Sequence, residues 1–240
     1  MEKPEQPLLL STATVADIAL FYPHAVAILN RHCIDYCCDG HVTFIHACEA
    51  RTISAENIWD EILETIPAET SGIHYEDWRT KQLIDFILEH HHRFIRQSIP
   101  EVSSLLDTVC SIHGEDDLAV LSVRDDFDDL VAELNDHLAK EESVLFPAIR
   151  RILDPDTDND SRPSLDLNIK VVIAAMEQDH RFTGELLNSL RNMTRYYTPP
   201  DYACPTYRAA YQLLQDLDND LVQHIHLENN ILFPRVKDVL

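Results

Sequence analysis

Apolar residues come in short runs from residue 12 to residue 64 and in long helical runs after Trp78. TVADIALF and PHAVAILNRH each place apolar side chains three and four positions apart, the spacing of one helical face. Pro23 suits the first turn of the second run. CIDYCCDGH reads as a turn and VTFIHACEAR resumes helical spacing. SAENIWDEILETI opens on Ser54 as an N-cap, with acidic charge in the first turn. Residues 67–77, PAETSGIHYED, carry Pro67, Gly72 and polar side chains, the marks of a linker. Beyond it the pattern predicts four long helices, at 79–112, 117–153, 166–194 and 205–238. The break at 154–165, DPDTDNDSRPSL, predicts a solvated loop. Its aspartates alternate as in a calcium loop, but the glycine after the third acid is missing, and Leu167 stands where a twelfth-position glutamate would follow Asp156.

This pattern predicts an all-α protein with a small helical vicinal-cysteine domain at 1–66, a linker at 67–77 and an up-down four-helix bundle at 78–240. The polar linker predicts that the two parts fold separately. Only 4 glycines occur in 240 residues, too few for the turns of a β protein or for a phosphate-cradling loop. Lys+Arg 19 against Asp+Glu 42 gives a net charge of -23, which excludes nucleic acid as a partner because no basic excess exists to displace counterions. The start, MEKPEQPLLL, lacks the basic and apolar regions of a secretory leader, and no run of 18 apolar residues predicts a membrane span. The 6 cysteines are too sparse for a disulfide framework, so reduced thiols and a cytoplasmic location are expected. Histidine stands out, at 13 residues.

Two of those histidine-rich stretches repeat. EHHHRF at 89–94 matches EQDHRF at 177–182, and HLAKEESVLFP at 137–147 matches HIHLENNILFP at 224–234. In both copies Glu-x-x-His-Arg-Phe is followed 45 or 44 residues later by His-x3-Glu-x3-Leu-Phe-Pro. The doubled order implies two helical hairpins related by an approximate two-fold. Residues four apart lie ~40° around and ~6 Å along a helix, so the His and Glu of each pair can reach one centre. A single pair of this kind is commonly a surface contact. Two pairs with matched partner histidines point instead to a metal site built from His92, His137, Glu141, His180, His224 and Glu228.

Four imidazoles and two carboxylates suit two iron ions with a bridging oxo or hydroxo group better than one zinc, which takes a closed tetrahedron. A ferritin-like scheme would use Glu89 and Glu177 with their i+3 histidines. Its helices occur in the reverse order, and it leaves His137 and His224 without a role, so Glu89 and Glu177 are expected outside the ligand set.

At these residues the chain resembles a hemerythrin-like di-iron bundle. RHCIDYCCDGHVTF resembles the His-Gly-Ile-Asp-Tyr-Cys-Cys-Gly-Gly stretch that opens the iron–sulfur cluster repair (repair-of-iron-centres) family, and TPPDYACPTY and LVQHIHLENNILFPR resemble that family's last helical hairpin. The likeness spans roughly residues 14–236. It departs at Cys33, where the family usually has Gly, and at Asp39, which replaces the first Gly after the cysteines. The resemblance implies iron ligation by His92, His137, His180 and His224, with Glu141 and Glu228 as bridging carboxylates. It also implies a cytoplasmic protein that restores iron–sulfur clusters damaged by nitric oxide or oxidants, through iron donation or exchange or through removal of nitric oxide. Damaged iron–sulfur proteins would be its partners, and some family members are described as dimers. Two alternatives share the site: a nitric oxide reductase fed by an external electron donor, or a hemerythrin-like sensor of O2 or redox state.

The remaining candidates are weighed by spacing. Cys37 and Cys38 are neighbours, a placement that strains a disulfide. They are either two reduced thiols or a pair that receives iron, nitrosyl groups or electrons. His113 lies ~31 Å along its helix from His92, too far to share its metal. His90 and His91 flank His92 at ~100–200°, so one register alone is expected to face the core. Cys110 and Cys204 are expected to pack as small apolar residues, and Tyr196 and Tyr197 to line a hairpin end.

Overall fold

The computed structural model describes residues 10–22, 24–65, 74–153 and 162–240, with backbone alone at 162–167. Pro23, linker positions 67–73 with Pro67 and Gly72, and positions 154–161 of the acidic break lie outside the described residues. Among the described residues the chain is helical, with no strand beyond an isolated bridge between Thr14 and Thr43. It forms two compact units. The first combines the chain up to Leu83 with Ile225–Asp238, and the second runs from Ile84 to His224 with the last two residues.

The first unit starts with four short helices: α1 (Val15–Phe21), α2 (Ala25–Arg31), α3 (Phe44–Ala50) and α4 (Ala55–Glu64). Thr14 begins α1 with a reciprocal cap: its hydroxyl accepts from the Asp17 N–H, and its own N–H donates to the Asp17 carboxylate. Ser54 caps α4, accepting from the Asn57 N–H at 3.2 Å, as the sequence predicts. Ile18, Leu29, Tyr36, Phe44 and Ile62 are fully buried and form the core. Gly40 is required by close approach, since a Cβ there would meet the Tyr36 carbonyl oxygen at 2.6 Å.

The second unit is the bundle. Its first helix joins α5 (Thr80–Phe86), a π-helical turn (Ile87–His92) and α6 (Arg93–His113). Its second joins α7 (Leu118–Lys140), a π-helical turn (Glu141–Leu145) and α8 (Phe146–Ile152). The third is α9 (Arg162–Met193), and the fourth is α10 (Pro205–Leu227). All four predicted helices are present. α9 begins at Arg162, so the last residues of the expected 154–165 loop are helical. Buried Val102, Leu106, Val123, Phe127, Leu130, Ile173 and Leu217 recur at helical spacing and supply the core.

The fourth helix does not end with the bundle. It continues through a π-helical turn (Glu228–Leu232) into α11 (Phe233–Lys237), and this stretch belongs to the first unit. There Arg235 donates at 2.6 Å to the carbonyls of Trp78 and Glu76, and Asn229 and Asn230 donate to carbonyls of the cysteine turn. The compact units therefore divide the chain differently from the sequence boundaries 1–66 and 78–240. The helical period runs unbroken through 205–238, so it carries no mark of this change of partner.

Tyr196 and Tyr197 lie at a hairpin end, as expected, within a run of three left-handed residues. Arg195, Tyr196 and Tyr197 have φ of 50, 55 and 58°, a conformation that costs a non-glycine residue ~1–2 kcal/mol. Thr194 accepts from the Tyr197 N–H at 2.9 Å, the Tyr197 hydroxyl donates to Asp218 at 2.8 Å, and Arg191 grips both Asp218 oxygens at 2.7 and 2.5 Å. Replacing Asp218 with Ala leaves a buried hydroxyl and a half-buried guanidinium without their acceptor. Asp218→Ala should lower unfolding stability by about 2–3 kcal/mol, read from the midpoint of denaturant unfolding. A midpoint unchanged from wild type would contradict the network's role.

Candidate metal centre

Five of the six predicted ligands lie in the bundle unit, one or two per helix. His92 closes the π-helical turn of the first helix, and His137 precedes the second helix's π-helical turn, which Glu141 opens. His180 sits in α9 and His224 near the end of α10. None is more than 2% exposed, and Glu141 is fully buried. Glu228, the sixth, is also fully buried and opens the π-helical turn that follows α10, four residues past His224. Extra-wide turns of this kind recur at functional sites, and three of the four helices place theirs at a predicted ligand.

The carboxylate of Glu141 is the hub. Its Oε1 lies 3.1 Å from His137 Nε2, whereas its Oε2 lies 3.3 Å from His92 Nε2 and 3.8 Å from His224 Nε2. His180 Nε2 lies 3.1 Å from His137 Nε2. The two oxygens thus face different histidines. His92, Glu141 and His224 offer ligand atoms all within 4.8 Å of one another, and so do His137, Glu141 and His180. Donors bound ~2.1 Å from one ion at angles of ~90–110° sit about 3.0–3.4 Å apart, which most of these separations match. A fully buried carboxylate ringed by imidazoles is the kind of group that suits a cation. The donor set fits iron, which takes imidazole and carboxylate together.

A second ring of acids orients the imidazoles. His92 Nδ1 donates to Glu142 at 2.7 Å, and His137 Nδ1 lies 3.7 Å from Asp179. With their Nδ1 atoms turned to these outer acids, both rings direct Nε2 inward, the tautomer a metal needs. Burial alone would raise the Glu142 carboxyl, but hydrogen bonds from Arg96 and His92 outweigh it and hold it below the usual range. Asp179 is held low by His137, with Lys140 assisting at 3.2 Å. Burial drives His224 well below the ordinary imidazole value, so its ring is neutral and able to ligate.

The structure adds residues that spacing missed. His91 is buried together with His92, against the expectation of one buried register. A π-helical turn, wider than an α-turn, runs from Ile87 to His92 and changes the angular relation between the neighbours. His91 Nδ1 bonds Asp220 at 2.9 Å, and its ring stacks on His224 with an interplanar angle of 10°. Glu142 and Asp179 each adjoin a predicted ligand in sequence, which is the one signal that marked them. Glu89 is exposed and Glu177 half-buried.

In the first unit, Asp35 Oδ1 accepts from the N–H groups of Cys37 and Cys38, each at 2.9 Å, and the two sulfurs stand 3.6 Å apart. Asp35, Cys37 and Cys38 also offer ligand atoms within 4.8 Å of one another. Cys37 is buried, and its thiol is pushed well up by its bond with Cys38, by burial and by the Asp35 charge. All six cysteines are free thiols.

Comparison with known proteins covers both regions. The Hemerythrin HHE cation binding domain matches residues 83–236, and a domain of unknown function (DUF542) matches residues 11–65. The iron-sulfur cluster repair protein YtfE of Yersinia pestis (strain Pestoides F) is 31% identical over 223 residues, which cover 91% of this chain and 93% of that protein. The protein of the same name from Yersinia pseudotuberculosis serotype IB (strain PB1/+) shows the same identity and coverage.

Cys204 is not the apolar filler expected from sequence. It precedes α10, and His113 Nε2 lies 3.4 Å from its sulfur. This contact, aided by the N–H groups of Tyr207 and Thr206, lowers the thiol below its ordinary value. Burial instead pushes Cys48 up to about 11 and also raises Cys110. A lower pKa means more thiolate at neutral pH and faster alkylation. Limited iodoacetamide treatment at neutral pH should label Cys204 before Cys48 or Cys110, and His113→Gln should slow Cys204 alone, as read by peptide mass spectrometry. Equal labelling of the three thiols would contradict this.

Proposed function

The chain belongs to the hemerythrin HHE cation-binding family, and we propose that its bundle holds two iron ions and restores iron–sulfur clusters damaged by nitrosative or oxidative stress. The observation that carries this reading is the division of Glu141 between two imidazole sets, Oε1 toward His137 and Oε2 toward His92 and His224. One carboxylate shared in this way is suited to bridge a pair of ions. His92 and His224 would serve one iron, and His137 and His180 the other. Glu228, buried and repeating the His-x3-Glu spacing, would be the second bridging carboxylate. An oxo or hydroxo group would complete the bridge.

When bound, the iron pair supplies exchangeable iron and open positions for nitric oxide or O2. The chain's own contribution is positional and electrostatic. Glu142 fixes the ring plane of His92, Asp179 places its charge beside His137, burial keeps bulk water from the carboxylates, and two glutamates would offset half the charge of a diferrous pair. Partial neutralisation favours a centre that holds iron yet can release it. In this reading damaged iron–sulfur proteins are the partners and the cytoplasm is the site of action. No described helix is long and apolar enough to cross a membrane. Turnover of nitric oxide would draw electrons from an external donor, and homodimers are compatible with the reading.

The direct test incubates iron-loaded protein, without oxygen, with a nitric-oxide-damaged iron–sulfur enzyme. Target activity, iron retained and nitrous oxide are followed together. Iron donation predicts target recovery matched by iron loss from the protein. Nitrous oxide formed with all iron retained would refute donation and favour the reductase. Among variants, Glu141→Ala should abolish binding of the pair, and Glu142→Ala should weaken iron affinity ~10–100-fold. Glu89→Ala should bind as wild type in a competitive chelator titration. Equal losses in all three would overturn the ligand assignment.

A further inference from the structure

The peptide that joins Cys37 to Cys38 is held from both sides. Its N–H, on Cys38, donates to Asp35 Oδ1 at 2.9 Å. Its carbonyl, on Cys37, accepts from Asn229 Nδ2 at 3.1 Å and from Asn230 Nδ2 at 3.5 Å. The preceding carbonyl, on buried Tyr36, accepts from Asn230 Nδ2 at 3.1 Å, and His226 Nδ1 lies 3.2 Å from it and 3.0 Å from Asn230 Nδ2. The amide oxygen of Asn230 lies 3.1 Å from where a Cβ on Gly40 would stand, so the missing side chain lets the loop close on the asparagine. Asn229 and Asn230 directly follow Glu228 in one π-helical turn. All these residues belong to one compact unit.

A disulfide between the two cysteines is incompatible with this grip. The sulfurs are 3.6 Å apart and must come ~1.5 Å closer to reach a bond length of about 2.05 Å. Their Cα atoms, ~3.8 Å apart across a trans peptide, are already below the ~4.4–6.8 Å of ordinary disulfides. Closure must therefore turn the intervening peptide. That peptide's N–H is fixed by Asp35 and its C=O by Asn229, so turning it breaks both hydrogen bonds.

We infer that oxidation of Cys37 and Cys38 to a disulfide releases Asn229 and Asn230, loosens the turn that carries Glu228 and speeds loss of iron. Asn229 and Asn230 are then positioning residues that report the state of the thiols to an iron ligand. The inference rests on Glu228 being such a ligand, as proposed above. A low-molecular-weight disulfide such as oxidised glutathione is the oxidant. The half-buried Cys38 thiolate attacks one of its sulfurs and expels a glutathione thiolate. Cys37 then attacks Cys38 in the mixed disulfide and expels the second. Two protein thiols become one disulfide, and their two protons leave on two glutathiones. A strained bond of this kind is readily reduced again, which suits a reversible signal.

The experiment loads the full chain with ferrous iron without oxygen and follows iron loss to a ferrous chelator, before and after oxidised glutathione. Peptide mass spectrometry verifies the Cys37–Cys38 bond. Oxidation should speed release ~10–100-fold, the scale of losing support for a metal ligand. Cys38→Ser should release iron at one rate with and without oxidant. The double variant Asn229→Ala with Asn230→Ala should release iron fast without oxidant and gain nothing from it, while far-ultraviolet circular dichroism shows the helices intact. Slow, still oxidant-sensitive release from that variant would overturn the inference. So would slow release from wild type carrying the verified bond, or no bond at saturating oxidant. Wild type that binds no iron fails the metal reading itself, whereas normal loading with no oxidant effect fails the coupling alone.

Discussion

A carboxylate with no exposure, set among imidazoles inside a helical bundle, is the constraint from which the rest follows. Moving an ionised carboxylate out of water is unfavourable by several kcal/mol even after relaxation, so Glu141 needs positive charge close by. Its neighbours include His92, His137 and His224, and burial holds His224 neutral. A metal ion would resolve the conflict, since neutral imidazoles and an anionic carboxylate are what it binds. The outer acids have a place in the same scheme, because Glu142 and Asp179 occupy the Nδ1 sides and leave Nε2 for the centre. Each of these acids has its own cation, Arg96 or Lys140, which keeps the outer ring ionised.

The fourth helix serves two purposes along one continuous run. His224 closes the part that belongs to the bundle, and Ile225 opens the part that belongs to the vicinal-cysteine unit, with Glu228 three residues further on. A single turn thus carries a buried carboxylate and the two amides that fix the Tyr36 and Cys37 carbonyls.

The proposed metal ligands were legible in the sequence because metal chemistry restricts residue type at fixed helical spacing, and the doubled motifs repeat that restriction. His92 was separated from His90 and His91 by its match with His180. His91 was not legible in that way, since a 3.6-residue period does not describe a π-helical turn. Asp220 was invisible for a different reason. It meets His91 across helices, and an acid on a helix surface looks like any solvated charge. Cys204 gained its partner the same way, from His113 on another helix. Asn229 and Asn230 read as polar residues on a helical face, because the carbonyls they grip lie far away in sequence.

The central claim is that Glu141 joins two iron ions into one magnetic unit. Mössbauer spectra of protein loaded with enriched iron and then oxidised, recorded at low temperature in an applied field, test it most directly. The account predicts that uptake stops at two irons per chain and that the oxidised pair has a diamagnetic ground state, with its spins cancelled through the bridge. Uptake of a single iron, or two irons with independent paramagnetic spectra, would contradict it.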